Sequence, residues 1–212
     1  MGQKRARTPQ EIDDRKQLIL ERAKELFLTT DYADLTLVAI AKDLELSRPA
    51  VYHYFRSKEE LFLALLKEEY LACEQRLQEA LPHRVSQEQF CQSLVDCSFD
   101  SPLFIKLLSL HASALEAKLG YDFTYQFKKD TLPFFKTIYH LISQQFPQAS
   151  EASIRLFMTQ YNLLMTTCYQ YSHIPDDQRQ IMAKLKPFGD LPFLEARQFF
   201  SQTLCSLIEK VQ

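Results

Sequence analysis

Apolar residues recur every three to four positions along almost the whole chain, the spacing that gathers them on one face of an α-helix. The first predicted helix opens at Thr8 as N-cap, with Pro9 in the first helical position and Glu11 closing a capping box, and runs to about Thr30. Its stripe is Ile19, Ala23, Leu26 and Phe27. A short helix follows Thr36 (Leu37, Ile40, Ala41, Leu44), and a second opens at Ser47 and ends near His53. A long helix starts at Ser57, whose hydroxyl can cap it with Glu60 in the reciprocal position, and runs to about Ala80 before Pro82. Later helices are expected at residues 87–97, 102–118, 122–145, 151–172 and 192–210, with a short one at 177–185. Breaks fall at Ser101-Pro102, Gly120, Phe146-Pro147 and residues 172–192, which hold Pro175, Pro187, Gly189 and Pro192.

Composition sharpens this all-α picture. Three glycines in 212 residues are too few for a turn-rich β protein and cannot build the usual glycine-cradled nucleotide sites. No GxSxG or HExxH pattern occurs, and the five histidines do not cluster with cysteine, so catalysis, a metal site and a cofactor are not expected. Cys73, Cys91, Cys97, Cys168 and Cys205 are scattered and odd in number, which reads as buried thiols of a reducing cytosol and not as a disulfide frame. With no signal-like apolar segment and no run near the roughly 20 residues that span a bilayer, a cytoplasmic protein without a membrane partner is expected. Residues 1–58 hold 11 Lys+Arg against 9 Asp+Glu, the remainder 14 against 18. A basic end on an acidic body suits a chain that meets phosphate at one end. Lys4, Arg5 and Arg7 are either a solvated tail or a minor-groove arm.

Residues 36–61, TLVAIAKDLELSRPAVYHYFRSKEEL, carry the most specific signal. Two short helices meet at a tight turn over Leu44–Leu46, and the small Ala41 lets them cross closely. Leu37, Ile40, Leu44, Leu46 and Val51 form a small core, leaving Ser47, Arg48, Pro49, Tyr52 and His53 on the outer side of the second helix. That is a helix-turn-helix whose second helix enters a DNA major groove. Arg48 can donate to guanine edges, while Tyr52 and His53 can reach bases or phosphates. Thr36 is an N-cap and a phosphate contact at once, Phe55 a core plug, and Lys58 an outward ammonium at a helix start suited to phosphate.

Thr36, Ile40-Ala41, Ser47, the VYHYF block at 51–55, Ser57-Lys58 and Leu61 resemble the TetR family of transcriptional regulators over about residues 10–65. Glu45, where many members carry glycine, and Pro49 depart from its usual pattern. The resemblance implies an N-terminal helix-turn-helix DNA-binding domain, residues 1–60, and a larger helical domain, residues 61–212, that binds a small-molecule effector and dimerises. The segments LHASALE and YQFKKDTL also resemble effector-binding domains of some such regulators.

In the C-terminal part, aromatics such as Phe123, Tyr125, Phe127, Phe134, Phe135, Tyr139, Phe157, Tyr161, Tyr169 and Tyr171 crowd neighbouring helices. They read either as core or as the wall of an apolar cavity with polar anchors, and the resemblance favours the cavity. Leu107, His111, Phe127, Phe135, Tyr161 and Tyr169 are its candidate lining, His111 being either a hydrogen-bonded core histidine or a polar anchor. The last two helices each offer more apolar surface than one chain covers, and Phe157, Leu164, Phe200, Leu204 and Ile208 are assigned to a homodimer interface. The expected partners are therefore double-stranded DNA, a second copy of the chain and an effector of unknown identity. A helical enzyme or a protein adaptor that happens to carry such a helix pair would have no use for the exposed polar and basic groups of residues 47–58.

Overall fold

The computed structural model describes residues 8–185 and 195–211. Lys4, Arg5 and Arg7, the breaks at Pro187, Gly189 and Pro192, and the expected start of the last helix at 192 lie outside the described residues. Among those described there are ten α-helices and no strand: α1 Pro9–Thr29, α2 Leu37–Asp43, α3 Arg48–Tyr52, α4 Lys58–Ala80, α5 Gln87–Phe99, α6 Pro102–Leu110, α7 Tyr121–Gln145, α8 Glu151–Ser172, α9 Asp176–Leu185 and α10 Ala196–Ile208. The ends are set by local chemistry. At α1, Thr8 Oγ1 accepts from the Glu11 amide (3.2 Å) and the Glu11 carboxylate accepts from the Thr8 amide (3.0 Å). Ser86 and Gln89 repeat this box at α5. The expected helix over 102–118 changes pitch: α6 ends at Leu110, a π-helical turn takes His111–Leu115 and a 3-10 turn takes Glu116–Lys118.

The chain divides into two compact units. The first comprises residues up to Glu69 together with His111–Lys129. Its core joins Ile19, Ala23 and Phe27 of α1, Ile40 and Ala41 of α2, Val51, Phe55, and Leu61 and Phe62 of α4, all buried. Phe27 and Phe62 meet edge to face at 4.9 Å. The second comprises Tyr70–Leu110 and Asp130–Gln212. Here α6 packs on α8, and α10 packs on both α5 and α8. Tyr70, Phe104 and Phe134 form one aromatic cluster with centroids 4.9–6.2 Å apart, and Phe157, Tyr161 and Phe200 form another.

Two expectations are corrected. Phe157, Phe200, Leu204 and Ile208 are 0–1 % exposed within the single chain, so they are core and not free interface. On α8, Phe157 falls in the same buried stripe as Ile154, Tyr161, Met165 and Cys168. Cysteine spacing in the chain likewise says nothing of distance in space: Cys91 of α5 and Cys205 of α10 are joined in a disulfide with Cα atoms 5.7 Å apart. Cys73, Cys97 and Cys168 are buried thiols.

Candidate nucleic-acid interface and interior cavity

The turn between α2 and α3 is built by backbone geometry. The Leu46 amide donates to the Ala41 carbonyl (2.8 Å) and the Glu45 amide to the Lys42 carbonyl (3.1 Å). This pair of bonds is a Schellman ending of α2, with Glu45 in the left-handed position at φ 54°. Glycine suits that position because it has no Cβ to crowd the following carbonyl. Thr36 caps α2, its hydroxyl accepting from the Ala39 amide at 3.1 Å. Arg22 of α1 is paired with Asp43 at the end of α2, which fixes the first two helices against each other.

With α2 so held, Val51 and Phe55 point into the core, and Ser47, Arg48, Pro49, Tyr52 and His53 are all exposed. The Ser47 hydroxyl makes no capping bond to α3, so it is available to an outside acceptor. Tyr52 is 46 % exposed, a large aromatic set on the surface at the end of a five-residue helix. Thr36 is exposed as well as capping. The expected outward ammonium of Lys58 is a correction: its Nζ donates to the Tyr32 carbonyl (2.6 Å) and lies 4.0 Å from the Tyr32 ring centroid. Burial holds this amine below the usual lysine range, with Glu59 opposing the shift. At the same helix start, the Ser57 hydroxyl accepts from the Glu60 amide, but the Glu60 carboxylate accepts from Arg56 and not from Ser57.

Sequence reasoning missed a node beside it. Glu59 accepts from the Tyr32 hydroxyl (3.2 Å) and from Lys118 Nζ (3.1 Å). Burial alone would raise its pKa, but the backbone amide and Lys118 outweigh that and keep the carboxylate below its ordinary range. Within this unit the 3-10 turn is therefore tied to the start of α4, the helix that follows α3. Spacing gave no sign of a pair 59 residues apart.

The second unit contains an enclosed cavity of about 10 Å³, room for about one water. Phe104, Phe134, Phe135, Met158, Tyr161 and Met165 are among its walls. An effector-sized pocket is typically ~300–1,000 Å³, far larger than this cavity. Of the residues assigned to a pocket, Phe135 and Tyr161 line this cavity, whereas Leu107 is fully buried and not among its walls. His111 and Phe127 lie in the first unit, edge to face at 5.2 Å. Tyr169 stacks on His173. The Tyr161 hydroxyl is 2.7 Å from Ser98 Oγ, which itself donates to the Leu94 carbonyl, so the tyrosine donates and its polar end is satisfied. Burial first of all drives its pKa far up, which keeps it neutral. His111 is held below its usual value by burial, against the pull of Glu116 at 3.0 Å. An open groove of about 420 Å³, walled by Gln78, Lys136, Thr137, His140 and Gln144, was not foreseen. No metal-holding group occurs, and no helix is long and apolar enough to cross a membrane, among the described residues.

Comparison with known families identifies the chain. Residues 19–65 match bacterial regulatory proteins of the tetR family, and residues 63–193 match the tetracyclin repressor-like C-terminal domain. The chain belongs to the TetR family. It is 35 % identical over 68 residues to the HTH-type transcriptional repressor NemR of Escherichia coli K12, a match covering 32 % of this chain and 34 % of that protein. The match thus spans about a third of that relative's length. A TetR/AcrR-family regulator from Thermobifida fusca shares the fold with a TM-score of 0.62 at 17 % identity, over 92 % of this chain and 97 % of the other. FadR of Bacillus subtilis, solved in complex with stearoyl-CoA, does so with a TM-score of 0.59 at 13 % identity, over 91 % and 96 %.

In this TetR-family chain α8 leaves apolar surface open beyond the predicted residues. Leu156 and Leu163, two turns apart on one side, are 58 % and 59 % exposed, and Leu164 is half-buried. Leu156 and Leu163 lie opposite the stripe that α8 buries against α6 and α10.

Proposed function

We propose that this TetR-family chain is a transcriptional repressor that binds a palindromic operator as a homodimer and leaves it when a small-molecule effector binds. The observation that carries this reading is the outer side of α3. Ser47, Arg48, Pro49, Tyr52 and His53 are exposed together on a helix whose inner residue, Val51, is fully buried. A helix presented so, after a tight turn, suits a major groove, with Arg48 reading a base edge and Thr36, Tyr52 and Ser47 positioning on phosphate. In this reading residues 1–60 are the DNA-binding domain and residues 61–212 the effector-binding and dimerisation domain, and work on chromosomal DNA puts the protein in the cytoplasm.

Two copies joined about a two-fold axis present two α3 helices to successive major grooves about 34–36 Å apart. Leu156 and Leu163 of α8 are the residues we assign to that junction, in place of the core residues Phe157, Phe200, Leu204 and Ile208. The effector site is the aromatic cluster around Phe104, Phe135 and Tyr161, where the one-water void widens on binding. The walls favour an apolar molecule, because most of them are aromatic or aliphatic and the Tyr161 hydroxyl among them is already bonded to Ser98. Release then follows from differential affinity: an effector that fits only the widened form removes population from the DNA-binding form.

Selection of duplexes from a random library by the full-length protein tests the proposal. The expected outcome is a palindromic consensus whose binding weakens steeply with salt. Recovery of no consensus, with binding flat in salt, would overturn it.

A further inference from the structure

The five cysteines are not equivalent. Cys73, Cys97 and Cys168 are buried thiols, and burial pushes Cys97 and Cys168 up to about 11, so little thiolate forms there near neutral pH. Cys91 and Cys205 are joined across 114 residues of chain, from the second turn of α5 to the last turn of α10. Cys91 is 2 % exposed, whereas Cys205 is half-buried and so offers the sulfur that an outside thiol can reach. Apart from this bond, α10 is held on α5 by its apolar stripe, Phe200, Leu204 and Ile208, and by the exposed ion pair of Arg197 with Asp96.

We propose that Cys91 and Cys205 are a redox-modification site, a two-electron latch that locks α10 to α5 when oxidised and loosens it when reduced. In the opening direction a dithiol supplies the electrons. One of its thiolates attacks the Cys205 sulfur, the Cys91 thiolate leaves and takes up a proton, and the second thiol of the reductant then displaces Cys205, ending as a cyclic disulfide. In the closing direction a hydroperoxide is the oxidant. The Cys205 thiolate takes its terminal oxygen as a sulfenic acid, releasing an alcohol or water, and the Cys91 thiol displaces water to re-form the bond. The latch itself requires only the second unit. Its consequence for DNA rests on the reading that the C-terminal helices join two copies, because α10 packs on α8, the helix that carries Leu156 and Leu163.

The test uses the full chain in dithiothreitol and after hydroperoxide treatment. Thiol alkylation read by mass spectrometry should find Cys91 and Cys205 joined only in the oxidised sample, with Cys73, Cys97 and Cys168 protected in both. Amide hydrogen exchange across α10 should be at least about tenfold faster in the reduced sample, with α1 and α2 unchanged. Cys205→Ser should exchange like reduced wild type and ignore hydroperoxide; wild-type data alone decide the matter if that variant does not fold. Independent alkylation of both cysteines after hydroperoxide, or a disulfide that leaves α10 exchange unaltered, would overturn the latch. Loss of DNA binding in both redox states would count against the proposed function and leave the latch standing.

Discussion

The helix-turn-helix and the packing of α10 place their apolar and polar groups by opposite means. Between Thr36 and Phe55 the shape of the helix pair is set mainly by local choices: a threonine cap, a left-handed turn residue, a buried Val51 and Phe55, and polar groups left outside on a five-residue helix. Around α10 every decision is distant: Phe200 meets Phe99 and Tyr161, and Cys205 meets Cys91, across tens to more than a hundred residues of chain. The first region spends little of its surface on stability and keeps a face free for a partner. The second buries the apolar stripe of α10 completely, and on the neighbouring α8 leaves Leu156 and Leu163 open. On the proposed reading, exposure marks the DNA-facing side in the first region, and the exposed leucines of α8 mark the junction in the second.

The contrast can be broken by substitution. Phe200→Ala removes a ring with no exposed surface and should cost about 3–5 kcal/mol, read as a lowered denaturant midpoint. A loss under 1 kcal/mol would mean that α10 is not core. Leu156→Glu with Leu163→Glu should change unfolding free energy within about 0.5 kcal/mol, as exposed positions do, while shifting sedimentation toward monomer. An unchanged sedimentation coefficient would place the junction elsewhere. In the local region, Glu45→Gly should stabilise by about 1 kcal/mol, since it relieves a side chain held at φ 54°. A destabilised variant would show that the turn is not left-handed in solution.

The smallest effect concerns pH. Because burial lowers the pKa of His111 in the folded protein, the unfolded chain binds its proton more readily. This residue's contribution to stability is thus fully present above the unfolded value of about 6.5 and is lost as pH falls below it toward the folded value. Melting temperatures between pH 7.5 and 5.5 should fall less steeply in His111→Gln than in wild type. Equal slopes would mean that the histidine is not buried neutral.

The same contrast explains what could be read from the chain. Caps and turns are spelled by neighbours, so Thr8 with Glu11 and Thr36 announced α1 and α2, the break over Leu44–Leu46 announced the turn, and the exposed side of α3 followed from helical spacing. Helical spacing also finds the stripes of α8 and α10, but a stripe does not name what covers it. That is why Phe157, Phe200, Leu204 and Ile208 read as interface when they are core, and why the void among the aromatics proved water-sized. Lys58 misled for a related reason: its partner, the Tyr32 carbonyl, is 26 residues away and belongs to a backbone group that any residue carries.

The central claim is that α3 reads DNA, and the affinity of the full-length protein for its selected operator and for a random duplex, with and without Arg48→Ala, tests it most directly. Arg48 is exposed on α3, so the account predicts that the substitution weakens operator binding by about 1–3 kcal/mol, weakens random-duplex binding much less, and leaves the melting temperature unchanged. Equal operator affinity in the two proteins, or an equal loss on both duplexes, would contradict it.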